Sequence, residues 1–202
     1  MKATKCNEIF NKGILDYHIN NNVNQPCENP YSENSIEGLM YLKNWIDTIQ
    51  WHFEDIIRDP NIDPKEGLLL KRKIDQSNQE RTDLVEKIDD YYIELFKNVN
   101  PANNAKVNTE SPGWVVDRLS ILCLKIYHMQ EQVERNDVNI KHTNNCTKKL
   151  SVLKEQQNDL SRSFDELLVD LKNGLKKIKV YRQMKMYNDS ELNPVLYKKK
   201  SH

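Results

Sequence analysis

No stretch of this chain approaches the roughly 20 consecutive apolar residues that a membrane-spanning helix needs. Met1-Lys-Ala-Thr-Lys5 runs into Cys-Asn-Glu rather than into the apolar core of a signal peptide. A soluble, cytoplasmic protein is the expectation. Glycine is scarce: five are scattered over 202 residues, too few and too dispersed for a phosphate-cradling loop. The four cysteines, Cys6, Cys27, Cys123 and Cys146, include no C-x-x-C pair, which excludes a zinc knuckle or thioredoxin-like motif and reads as free thiols. Net charge is missing as well, since thirty basic residues balance thirty acidic ones. Nothing in that balance calls for nucleic acid as a partner. Nor does any segment alternate apolar and polar residues as a half-buried strand would.

What the chain has instead is helical periodicity, punctuated by proline and asparagine. A short helix over about Thr4 to His18 presents Ile9, Phe10, Ile14 and Leu15, and a polar loop with Pro26 and Pro30 follows. Ser35 is a helix N-cap, after which Leu39, Leu42, Ile46, Ile49, Phe53 and Ile56 repeat at three and four until Asp59-Pro60. Asp63-Pro64 supplies N-cap and first turn of a third helix reaching about Asn98, whose seam is interrupted by Ser77 and Arg81. After the unpatterned stretch Val99 to Glu110, Ser111-Pro112 opens a fourth helix, with a weak break near Arg135 to Asp137. The fifth keeps a 3–4 repeat from Cys146 to Leu175 and is extended by this reading to about Tyr187.

The expected fold is all-α: an elongated up-and-down bundle of about four long helices plus a short N-terminal helix. Residues 1–34 hold the short helix and polar loop, 35–190 the bundle, and 191–202 a flexible basic tail, within one domain. A homodimer is the rival arrangement, because the far end of the fifth seam could need a second chain to cover it.

Charge is uneven along this neutral chain. Residues 35–90 carry thirteen acidic and eight basic groups, whereas residues 172–202 carry nine basic and two acidic. The two regions are expected to attract each other, with Arg182 and Lys185 pairing with the acidic helices while Tyr181, Met184 and Tyr187 pack. The mixture of basic and aromatic residues over Lys179 to Asn188 also suits an anionic small molecule.

Two histidines each precede a carboxylate by three residues, His52–Asp55 and His128–Glu131, and positions three apart share a helix face. His52 lies on a polar stripe with Trp45, Thr48, Asp55 and Asp59; His128 lies on another with Trp114, Arg118, Lys125 and Gln132. A third stripe on the intervening helix includes Glu86 and Asp89. Convergence of the three stripes would create a polar groove built from His52, Asp55, Glu86, Asp89, Arg118 and His128, with Glu131 and Arg182 further ligand-binding candidates. The metal-ligand candidates are His52, Asp55, His128 and Glu131. Carboxylate-bridged dimetal bundles use Glu-x-x-His, however, and the order here is reversed. Structural histidine–carboxylate pairs without a cofactor are therefore the first expectation, ligand binding without metal the second, and a divalent metal the third. Glu86-x-x-Asp89 with Glu54 and Asp55 also bears a weak likeness to the magnesium-binding pairs of all-α nucleoside triphosphate pyrophosphohydrolases, but the spacing at Glu54 and Asp55 departs from that pattern.

Several tracts together resemble a known family: Tyr41 to Pro60, Asn108 to Trp114, Asp117 to Ile121, Lys125 to Met129 and Val180 to Asp189. They are similar to an uncharacterised bacterial family, domain of unknown function 4254, over about Ile36 to Tyr197. The resemblance implies a helical cytosolic protein and an association with cell-envelope polysaccharide assembly, and it supplies no catalytic residues. The expected function is accordingly a non-catalytic binding or adaptor protein that receives a protein partner or an anionic small molecule. A metal-dependent hydrolase of nucleotides or phosphosugars is the alternative.

Overall fold

The computed structural model describes residues 1–187 and 189–198. Five long helices form in chain order: α1 (Ala3–Asn20), α2 (Ile36–Ile56), α3 (Pro64–Leu95), α4 (Pro112–Glu134) and α5 (Ile140–Lys172). The starts of α2 to α5 follow side-chain caps. The Ser35 hydroxyl accepts from the Gly38 amide, the Asp63 carboxylate from Lys65 and Glu66, and the Asn139 side chain from His142. Each cap satisfies amides that the first turn leaves without a partner, and Pro64 and Pro112 occupy first-turn positions where no amide hydrogen is needed.

The bundle is all-α, but α1 is no appendage. It packs against α2, α4 and α5, and its Cys6, Ile9, Phe10, Ile14 and Tyr17 are fully buried. A continuous core joins these side chains to Met40 and Tyr41 of α2, Ile88 and Tyr92 of α3, Leu119 of α4 and Phe164 of α5. The chain start is keyed in by the Ala3 amide, which donates to Asp165 at 2.9 Å, and by the Tyr92 hydroxyl, which donates to the Met1 carbonyl at 2.9 Å.

Helix α2 is rotated relative to the sequence expectation. Its most buried face runs through Met40, Tyr41, Asn44, Trp45 and Thr48, whereas Leu39, Leu42, Ile46 and Ile49 are half-buried and Ile56 is exposed. The reason is its central place: α1, α3 and α4 all contact α2, so both its aliphatic seam and the neighbouring stripe are covered. Periodicity alone could not rank two adjacent covered stripes.

Helix α5 ends at Lys172 rather than near Tyr187. Gly174 takes a left-handed conformation (φ 69°) beside the Asn100 carbonyl, where an added Cβ would sit 2.9 Å from the oxygen. Past it, Lys176–Lys177 (β2) pairs in parallel with Lys106–Val107 (β1), and the chain then runs without helix along α3. Arg182 pairs with Glu86 at 3.3 Å and with Asp90, while the Lys185 ammonium donates to the Asn78 carbonyl at 3.0 Å and the Thr82 hydroxyl at 2.8 Å. Asn78, Thr82, Glu86 and Asp90 are successive four-residue steps along one polar stripe. The expected attraction between basic C-terminal segment and acidic helix is present, whereas Tyr181, Met184 and Tyr187 point to solvent because that stripe offers them no apolar groove.

Pro194–Tyr197 adds one helical turn, α6, capped by Asn193. Of the flexible basic tail expected over 191–202, residues 191–198 include this turn, and 199–202 lie outside the described residues. Among the described residues no helix is long and apolar enough to cross a membrane.

Candidate metal centre

Two polar clusters lie along the α2–α4 contact. The first is sealed. Lys43 and Asp47, one turn apart on α2, are fully buried and ion-paired, and the Lys43 ammonium also lies 2.8 Å from Asp117 of α4. Arg81 of α3 closes the cluster with a two-bond contact to Asp117, 2.7 and 2.6 Å, and approaches Asp47 at 3.5 Å. Ser120 donates to Asp47 at 2.6 Å and accepts from Asn44 at 3.0 Å. Burial alone would raise the Asp117 pKa, but Lys43 and Arg81 hold it below the usual carboxylate range. Asp47 goes the other way: complete burial raises it despite Lys43. Two cations and two anions cancel in the cluster. It is a structural solution to burying charge, since each ion keeps a partner.

The second cluster lies farther along the same two helices and contains no charge pair of that kind. His18 at the end of α1, His52 of α2 and His128 of α4 bring their ligand atoms within 4.8 Å of one another. Among the described residues this is the group of three or more histidine, cysteine and carboxylate side chains close enough together to hold a metal ion.

Hydrogen bonding fixes how two of the rings present themselves. His18 Nδ1 lies 2.7 Å from the Ile14 carbonyl, one turn back. A carbonyl only accepts, so Nδ1 carries the proton and Nε2 keeps its lone pair. His128 Nδ1 lies 2.7 Å from the Glu131 carboxylate by the same logic, and its Nε2 is a buried atom with no hydrogen-bond partner. A metal-ligating histidine characteristically donates its other nitrogen to a carbonyl or carboxylate in this way. His52 Nε2 lies 3.3 Å from His18 Nε2. Two nitrogens at the Zn–N distance of about 2.0–2.1 Å and a tetrahedral angle are about 3.3–3.4 Å apart.

Aromatic packing holds the rings in place. Trp51 stacks on His128 (centroids 4.7 Å, 11° between planes), Tyr17 stacks on His52 (5.2 Å, 11°), and Tyr127 lies against His18 at 4.4 Å. Burial lowers the pKa of His18, with His128 adding to the effect, and lowers that of His52, where His128 and His18 both contribute. Neutral imidazole, the form that ligates, is thereby favoured. The three rings sit at the base of an open pocket of about 900 Å³ that continues between the ends of α2, α4 and α5.

The sequence candidates separate into those this pocket gathers and those it does not. His52, Asp55, His128 and Glu131 all line it. Glu131 acts behind His128, and Asp55 stands exposed at the wall without joining the three-nitrogen cluster. The His128–Glu131 pair is thus a formed contact, while His52 makes its contacts with His18 and Tyr17. The third stripe faces elsewhere. Asp89 is buried at the opposite end of α4, where it accepts from the Ser111 hydroxyl and the Gly113 amide at 2.6 Å each. Along the 1.5 Å rise per residue that lies about 20 Å from His128. Gly113 is required there, because a Cβ would come 2.7 Å from the Asp89 carboxyl carbon. Glu86 binds Arg182, and Arg118 pairs at the surface with Glu110 at 2.5 Å. The expected groove from three converging stripes therefore does not form. α1 supplies the third wall, through His18, which lacks a carboxylate three residues on and so carried no pair signal.

A family model described as "Protein of unknown function (DUF4254)" matches residues 37–180. That span includes His52, Glu131 and His128 but not His18. No curated protein and no solved structure matches the chain.

Proposed function

We propose, on the premise that this chain belongs to the DUF4254 family, that it is a metal-dependent hydrolase whose centre is His18, His52 and His128. The observation that carries the reading is the convergence of three imidazoles from three helices, two of them with Nδ1 anchored so that Nε2 faces inward. Three imidazole ligands suit Zn²⁺ and its neighbours in the first transition row better than Mg²⁺ or Ca²⁺, which prefer oxygen ligands. The His18 and His52 nitrogens already stand at a ligating separation, and drawing the His128 nitrogen in from within 4.8 Å to about 3.3–3.4 Å of them would complete the set. A metal held by three protein ligands keeps a position for water and lowers the pKa of that water to about 7, the chemistry used in hydrolysis. Glu131 would orient His128 and raise its basicity, and Trp51 and Tyr17 would fix ring planes. Asp55, exposed on the pocket wall, would accept a proton from a reacting water.

A non-catalytic binding protein is the second reading, favoured by one specific contact. A proton on His52 Nε2 would make its 3.3 Å approach to His18 a hydrogen bond and satisfy both rings without metal. Cytoplasmic location belongs to either reading and is supported by four unpaired thiols.

Chelator-stripped protein titrated with Co²⁺ separates the two. The hydrolase reading expects a single equivalent to bind with the visible absorption of a four-coordinate centre, removed in His18→Ala, His52→Ala and His128→Ala. It further expects metal-loaded but not stripped protein to turn over a chromogenic ester. Absence of binding, or binding unchanged in all three variants, refutes the metal centre. Binding without turnover of any ester tested favours the binding protein.

A further inference from the structure

We infer that the pocket above the three histidines takes a phosphorylated small molecule, with its phosphate held by Lys125, Lys148 and Lys149. The inference rests on the proposed metal centre for the second half of the site and on the lysines for the first. Lys125 comes from α4, one turn before His128, and Lys148 and Lys149 come from the facing stretch of α5. All three line the same pocket as the histidines. All three are exposed, and none is within 4 Å of a carboxylate among the described residues.

Charge counting selects an anion. The acidic groups on the pocket wall are Asp55 and Glu131, and Glu131 is engaged by His128. Three lysines against two carboxylates leave the pocket positive before any metal is present, and a divalent ion adds two further charges. Such a site is best neutralised by a dianion, which a phosphate monoester supplies and a single carboxylate does not. Shape adds the rest. About 900 Å³ far exceeds what inorganic phosphate needs, and Trp51, Met129, Val152 and Leu153 give the remaining wall an apolar character suited to the organic part of the molecule. Hydrolysis in this arrangement would form a bond from the water oxygen to phosphorus and break the ester P–O bond. The alcohol would leave with a proton from that water, and phosphate would remain against the lysines.

The test uses inorganic phosphate, with acetate as the monoanionic control, on Co²⁺-loaded full-length protein and on a Lys125→Gln/Lys148→Gln/Lys149→Gln variant. Phosphate is expected to shift the cobalt absorption at concentrations where acetate does not. The triple variant should bind Co²⁺ as the parent does while its phosphate affinity falls by about tenfold or more. Equal phosphate affinity in the two proteins, or acetate as effective as phosphate, overturns the inference and leaves the metal centre standing. If the parent takes up no Co²⁺, the metal centre has failed, and phosphorus NMR of the metal-free protein decides the lysine site. Phosphate line broadening that disappears in the triple variant supports it; no broadening overturns it.

Discussion

The sealed ion cluster around Lys43 and the histidine cluster around His52 are separated by little more than two turns of α2, yet they handle polarity in opposite ways. At Lys43, Asp47, Arg81 and Asp117, each charge is matched inside the protein and little is offered to solvent. At His18, His52 and His128 the rings converge on one another beside an open pocket, and the buried His128 Nε2 has no hydrogen-bond partner. The contrast separates burial that serves the fold from burial that prepares a site: in the first every ion faces an opposite charge, in the second the rings converge with no opposite charge among them.

Lys43→Met breaks the comparison most strongly. Removing the buried cation leaves Asp47 and Asp117 to share Arg81, and the loss of one partner from a buried ion network costs about 3–5 kcal/mol. Chemical denaturation measures it, and Lys43→Met combined with Asp47→Leu should recover much of the loss, because an apolar pair carries no desolvation cost. His52→Ala should cost only about 1 kcal/mol by the same measurement while removing Co²⁺ binding. A stability loss at His52 equal to that at Lys43 would erase the distinction between the clusters. Glu131→Gln sharpens it further: the fold should be unchanged and metal affinity should fall about 10–100-fold, since only the orientation and basicity of His128 are affected.

The smallest effect is on acid stability. Burial lowers the pKa of His18 and His52, so the unfolded chain holds these protons more tightly than the folded one. The stability of metal-free protein is therefore complete above the unfolded histidine value of about 6.5 and declines as pH falls from there through the lowered folded values. Denaturant midpoints across that window check it, and the decline should shrink in a His18→Ala/His52→Ala variant.

Much of the architecture was legible because the chain marks its helix starts chemically. Ser35, Asp63-Pro64 and Ser111-Pro112 cap where expected, and the α5 repeat buries Cys146, Leu150, Phe164, Leu167 and Leu171. The C-terminal boundary was missed because Leu175 continues the repeat, whereas the local signal Asn173-Gly174 overrides it. The site was half legible. His128 and Glu131 announced their contact through i,i+3 spacing, but His18 reaches the cluster by tertiary packing that no local pattern encodes. Glu86 and Asp89 were false partners, since helix spacing tells which residues share a face and not which neighbour the face meets. The sealed cluster did leave a trace, Arg81 at an apolar seam position, which becomes intelligible once Asp117 is placed opposite it.

The docking of α1 has a consequence for assembly. His18 and His128 are more than a hundred residues apart in the chain, and α1 can complete the cluster only after both α2 and α4 have folded around it. An ion held by all three would act as a staple across a long loop, restricting the unfolded ensemble as a crosslink does. Occupancy of the centre and seating of the first helix would then be one equilibrium. Thermal stability would rise with free metal concentration, and the increase would vanish when His18 alone is replaced.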